Sequence, residues 1–347
     1  MTRSQSKLIA TYTLVHGVGE FLTALTLFPG ASTWAHPGTQ ILLYSCMAFG
    51  FPLVIALLVW PDASKKLPEG RMGLAGTVLM AAGMLVSQMG WACVLLLGLG
   101  SAMLHIATGT ATLKLPRPGT AVGVFESSGA IGLALGTVLG SGAWAMAAQD
   151  GWIAFGSIPI LLGGLAVLAW GTPRDTKNSS SVLGRGSWLI TVAVFAGLAL
   201  ISVLRAVTSF TAPQPWKQGS TLVLVAAGCV MVGRAVGGVL TDRWGVVPTA
   251  LTGFIGAGVL LSVWPQSSWA GCAGLFFLAA TMAPIIVALL KSTGRPSLAF
   301  GLAQFFQVPA AFVIGIVWSP WSVFIAMALC AAIVFTMKLM RRNRVTL

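Results

Sequence analysis

The chain has 347 residues, 56% of them hydrophobic and 8% charged, with a mean hydropathy of +0.91 and a formal net charge of +13. An ordinary soluble domain carries roughly 25% charged residues, so there is too little polar surface here to coat a water-soluble globule. The bilayer is the expected solvent, and twelve spans of about 20 residues would use about 240 positions, leaving short loops and no soluble domain.

In chain order, apolar runs predict spans over roughly 8–28, 40–60, 72–88, 91–113, 119–146 and 152–171. The stretch 172–186 is polar and rich in Ser and Gly, and reads as a linker. Six further spans follow over roughly 187–208, 219–240, 248–265, 269–290, 298–317 and 319–338, the last two parted only by Ser319 and Pro320. The expected organisation is an N-terminal six-helix bundle over 1–171, the linker, and a C-terminal six-helix bundle over 187–347. Arg3 and Lys7 precede span 1 as they would precede a signal peptide. Its apolar stretch is too long and carries His16 and Glu20, so it reads as a mature helix. Cys46, Cys93, Cys229, Cys272 and Cys330 all fall in apolar runs without a CxxC pair, which suggests buried thiols rather than disulfides or zinc.

The charges fix an orientation. With the N-terminus inside, the cytoplasmic segments hold 17 of the 20 Lys and Arg, the outer loops hold Lys217, and Arg205 and Arg234 lie within spans. This positive-inside asymmetry puts both termini in the cytoplasm of a cell-membrane protein, and it accounts for the net charge. The basic residues meet anionic lipid, and no basic stripe remains for nucleic acid.

The halves repeat. Arg117-Pro118, Ala121, Gly123 and Glu126 at the start of span 5 match Arg295-Pro296, Ala299, Gly301 and Gln304 at the start of span 11, at a constant offset of 178 (304 minus 126). Asp62 and Pro68 match Asp242 and Pro248 at an offset of 180. Six spans is an even number, so the halves run in the same sense, as in a parallel repeat about the membrane normal.

Four ionisable groups are expected at one depth. His16 and Glu20 share a face of span 1, His105 descends span 4, and Glu126 climbs span 5; the helical rise puts all four near mid-membrane. Charged side chains there are costly and usually line a pathway. An imidazole beside a desolvated carboxylate is the equipment of a proton relay, with a weak metal site as the alternative. Gln304 and Gln307 face one way in span 11, as solute donors or interhelical glue. Gly132, Gly136 and Gly140 form a bare stripe for helix packing. In span 8, Arg234, Gly238 and Asp242 share a face. Arg234 is expected either to snorkel or to pair with Asp242 or another helix, Asp242 to meet a basic residue or the N-terminal dipole of span 9, and Arg205 to snorkel. Few cavity-facing charges point to an amphiphilic or weakly charged solute.

Gly238-x-Leu240-x-Asp242-Arg243-x-Gly245 resembles the inner-loop signature of the major facilitator superfamily, and the stripe of span 5 resembles its antiporter motif. His16-x-x-x-Glu20 and Gly98-Leu99-Gly100 running to His105 are similar to the fosmidomycin-resistance-like branch. Thr137 stands where the antiporter motif has Pro, and Val246 and Val247 where basic residues usually follow the inner-loop signature. The resemblance implies an all-α fold of two pseudo-symmetric six-helix bundles rocking about a central site. It also implies exchange of protons for a small solute, with Arg234, Gly238, Asp242, Arg243 and Gly245 governing conformational exchange. Proton-coupled efflux by a monomer without cofactor or resident metal is the leading expectation, with uptake of a solute or of a divalent metal as the alternative. The sequence lacks a P-loop, HExxH and GxSxG. A membrane-embedded enzyme would need a nucleophile near the interface, and a sensor would need an output domain.

Overall fold

The computed structural model describes residues 2–27, 37–58, 69–141, 152–170, 188–313 and 316–342. The linker over 172–186 and the Asp62–Pro68 repeat lie outside the described residues. The helices are α1 (Arg3–Leu27), α2 (Pro37–Ser45) running through a π-helical turn (Cys46–Gly50) into α3 (Phe51–Leu58), α4 (Glu69–Leu85), α5 (Trp91–Leu113), α6 (Pro118–Ser141) and α7 (Trp152–Trp170). The second half contains α8 (Trp188–Thr211), α9 (Gly219–Trp244), α10 (Val246–Val263), α11 (Ser268–Ala280), α12 (Met282–Thr293), α13 (Pro296–Phe305), α14 (Val308–Ala311) and α15 (Pro320–Arg342). Among the described residues, nine helical stretches are long and apolar enough to cross a membrane, counting α2–α3 and α11–α12 as one each.

Local chemistry sets the helix ends. Pro118, Pro296 and Pro320 open their helices, where the missing N–H is not needed. Gly294 closes α12 at φ 65°, and Gly245, at φ 92°, alone separates α9 from α10. Only glycine takes such angles without steric cost. Spans 2, 10 and 11 are not continuous α-helices as expected. Span 2 winds into a π turn before Pro52, span 10 breaks at Thr281 before Pro284, and span 11 breaks at Phe306 and Gln307 before Pro309. In each, proline withdraws the donor that would satisfy a carbonyl one turn earlier.

Each half repeats one packing pattern. The first helix packs on the fifth and sixth, and the third on the fourth and sixth: α1 on α6 and α7, α4 on α5 and α7, then α8 on α14 and α15, α10 on α11 and α15. The halves meet where α6 crosses α9 and where α13 packs on α3 and α5. Bare backbone makes the closest crossings. A Cβ at Gly132 would strike the carbonyl of Gly17, one at Gly136 that of Phe21, and one at Gly140 would sit 3.5 Å from that of Ala24. Thus the stripe of α6 seats α1 within its own half. Gly119 and Gly123 meet Gly238 in the same manner across the halves. Leu14, Leu58, Trp269 and Trp321 point outward and exposed, while Tyr12, Phe125, Phe254 and Phe300 are fully buried. Such a surface suits hydrocarbon.

Candidate functional site

Two buried polar clusters lie near mid-length. The first joins α1 to α5. His16, Glu20 and His105 are all buried, and the imidazoles meet edge to face with centroids 4.6 Å apart. His16 also stacks on Phe125 at 4.6 Å. His16 Nδ1 is 3.0 Å from the Phe125 carbonyl, and His105 Nδ1 is 2.8 Å from that of Ser101. A carbonyl only accepts, so each Nδ1 carries the hydrogen and each Nε2 is left for exchange. His105 Nε2 faces Glu20 Oε1 at 3.7 Å, which sets a carboxylate beside an imidazole. Tyr44 donates to Ser101 Oγ, which contacts His105 Nδ1, so α2 braces the same ring. Ligand atoms of His16, Glu20 and His105 lie within 4.8 Å of one another. These are a candidate set for a divalent cation, in which the tertiary fold adds His105 to the pair on α1.

The second cluster straddles the halves. Arg234 Nη1 on α9 donates to the Glu126 backbone carbonyl at 2.7 Å and stands 3.6 Å from Glu126 Oε2. Gln304 Nε2 on α13 donates to Glu126 Oε1 at 3.0 Å. Glu126 and Gln304 are the two repeat-related positions, and equivalent groups that touch must lie close to the axis relating the halves. The chain continues as Gln307 Nε2 donates to Gln304 Oε1 at 2.8 Å and Arg205 Nη2 on α8 donates to Gln307 Oε1 at 3.2 Å. The two clusters adjoin through Phe125, which stacks on His16 and neighbours Glu126 along α6.

A cavity of about 370 Å³ opens beside the second cluster. Arg205, Arg234 and Gln307 line its deep end, and Gln214 and Lys217 its mouth. From Lys217 to Arg234 the path follows α9 for about 22 Å. The opposite side is closed. Phe300 fills the bare surface at Gly109, with its ring 6.2 Å from that of Phe125. Beyond it, Asp242 accepts from the backbone N–H groups of Gly119 and Thr120 at 3.1 and 2.6 Å. Exposed Arg117, Arg243, Lys291 and Arg295 make this the basic face of the molecule.

Several expectations are corrected here. Arg205 does not snorkel; it is 6% exposed and points into the cavity. For Arg234 one of the expected alternatives holds: it pairs with another helix, at Glu126 on α6, and not with Asp242. Asp242 caps α6, not the helix that follows it, because the crossing at Gly238 brings the first turn of α6 within its reach. Arg243 is exposed, and Gly245 shapes the turn between helices. Sequence reasoning missed Tyr44, Ser101 and Phe125, whose roles depend on neighbours brought by other helices. It also missed Glu69, which pairs with Lys114 at the basic ends of α4 and α5. Cys93 and Cys330 are buried, whereas Cys46, Cys229 and Cys272 are half-buried free thiols.

Two bundles meeting about a mid-depth polar site define the class: the fold is that of the major facilitator superfamily transporters. The chain is similar to the transporter FucP in its outward conformation, at 16% identity and a TM-score of 0.66, over 98% of this chain and 99% of that one. It is similar to a single-site variant of the E. coli fucose:proton symporter FucP, at 15% identity and a TM-score of 0.65, again over 98% and 99%. The human organic anion transporter MFSD10 matches at 15% identity and a TM-score of 0.58, over 97% of this chain and 100% of that one. No family model and no curated protein matches the sequence.

Proposed function

We propose that the chain is a secondary active transporter that moves a small organic solute across the cytoplasmic membrane by alternating access, coupled to protons and working in efflux. The carrying observation is the ion pair of Glu126 and Arg234 at the closed end of a one-sided cavity. A proton on Glu126 would remove the negative partner of Arg234 and so alter both the cavity charge and the contact between halves. His16, Glu20 and His105 would pass that proton, since both imidazoles leave Nε2 free. In this reading 1–171 and 187–347 rock as bundles about the 172–186 linker, with the basic face and both termini cytoplasmic and the monomer as the working unit. The present state is then open outward, with Asp242 and Phe300 closing the cytoplasmic side. Gly238 permits the close crossing, and Arg243 and Gly245 frame the turn beside it.

Glu126→Gln keeps shape and hydrogen bonding but not titration. In liposomes, pH-gradient-driven solute movement should fail while solute binding survives; unchanged gradient-driven transport would remove Glu126 from coupling. Similarity to a proton symporter fold favours a second reading, proton-coupled uptake. The direction of solute-induced proton movement in oriented vesicles separates the two. Uptake of a divalent metal draws on the convergence of His16, Glu20 and His105; zinc lost on dialysis from the parent and from Glu20→Gln alike would dismiss it.

A further inference from the structure

The four described carboxylates and the buried guanidinium of Arg205 do not balance. Glu69 pairs with Lys114, Glu20 faces His105, Glu126 faces Arg234, and Asp242 caps α6. Arg205, 6% exposed, donates to the neutral Gln307, and no carboxylate among the described residues lies within 4.0 Å of it. An unpaired buried charge is costly, and such a group is retained where something pairs with it. Arg205 lines the cavity, and Arg234 lines the same deep end with a buried Nε that has no hydrogen-bond partner among the described residues. Lys217 stands at the mouth, and no acidic residue among the described residues lines the space. The rest of the wall is chiefly apolar, with Phe49, Leu133, Phe210, Val230 and Leu275.

We infer that the cavity binds an organic anion with an apolar body, its carboxylate, phosphonate or similar head held at the guanidinium groups of Arg205 and Arg234 that line it. Guanidinium forks match planar or tetrahedral oxyanions, and their hydrogen bonds to a charged acceptor are the strong kind. The apolar wall takes the body of the solute, and Lys217 draws the anion to the mouth. This names the substrate class for the transporter proposed above and rests on that reading for movement, though binding rests on the cavity alone.

The test is binding to the purified full chain in detergent, read by thermal stabilisation. The probes are benzoate, phenylbutyrate and phenylphosphonate, each beside its amide or amine analogue. At least one anion should stabilise the protein saturably, and its uncharged and cationic analogues should not. Arg205→Gln should weaken that anion at least tenfold while leaving the free protein as stable as the parent or more so, because an uncompensated charge has gone. Arg205→Lys, which keeps the charge and loses the fork, should recover only part of the affinity that Arg205→Gln loses. Lys217→Gln, at an exposed position, should slow association and flatten its salt dependence. Failure of all three anions, equal binding of an amide, or unchanged affinity in Arg205→Gln would overturn the inference. If Arg205→Gln does not fold, an anion affinity in the parent that ignores ionic strength overturns it equally. Anion binding without solute-driven proton movement would instead sink the transporter reading and leave the site standing. Proton movement driven by an amide or amine and by none of the anions would do the reverse.

Discussion

The two buried clusters are neighbours held by different logic. His16, Glu20 and His105 come from α1 and α5 of one half, and backbone carbonyls of the same half fix both imidazoles. Glu126, Arg234, Gln304, Gln307 and Arg205 come from α6, α9, α13, the turn after it and α8, and their bonds cross between halves. A motion that separates the halves leaves the first cluster whole and must break the second. The imidazole and carboxylate cluster thus sits on the frame of one half, while the cluster of Glu126 and Arg234 sits on the seam between halves.

The largest break in that contrast should come from Arg234→Met, which strands Glu126 without its cation. A loss of about 3–5 kcal/mol is expected for a broken buried pair, read as a lowered unfolding temperature. Adding Glu126→Gln to it should restore much of the loss, because the stranded charge is gone; no recovery would mean that Arg234 acts through packing. Next, Gly132→Val attacks the frame rather than the seam. A side chain there meets the Gly17 carbonyl, and overpacking of this kind costs about 1–3 kcal/mol. Thermal stability should fall without any change in the spacing between halves on the basic face. Smaller still, Asp242→Asn weakens the cap on α6 by about 1 kcal/mol. That would favour separation on the basic face by roughly fivefold, seen as a longer distance population between spin labels at positions 117 and 243. An unaltered distribution would show that the glycine crossing alone holds this face. Finally, Glu20→Gln should change the pH dependence of transport and leave the affinity for solute within about twofold, since the first cluster does not line the cavity; a large affinity loss would erase the distinction between clusters.

Much of the architecture was legible along the chain, and for one reason. In hydrocarbon a segment must satisfy its own backbone, so long apolar runs are helices whatever surrounds them. Pro118, Pro296 and Pro320 mark helix starts by the same local rule. The breaks at Thr281 and at Phe306–Gln307 were readable from Pro284 and Pro309, but apolarity runs straight through both sites and hides them. Where a side chain has one reach and several destinations, local rules fail. Arg205 looks like a residue near a helix end, and only the position of α14 reveals that Gln307 holds it inside a cavity.

The sequence by itself determined the apolar helices, the basic asymmetry, the internal repeat, and the presence of His16, Glu20, His105 and Glu126 at similar heights. Each follows from composition or from a period along one chain. Only the tertiary structure decided that His105 joins His16 and Glu20, that Glu126 meets its own repeat partner Gln304 beside Arg234, and that Arg205 faces a cavity with no acidic residue in its described lining. Those pairings depend on which helices cross and how closely, and the bare glycines at Gly17, Gly119, Gly132 and Gly238 let backbones approach to where side chains of different helices can meet.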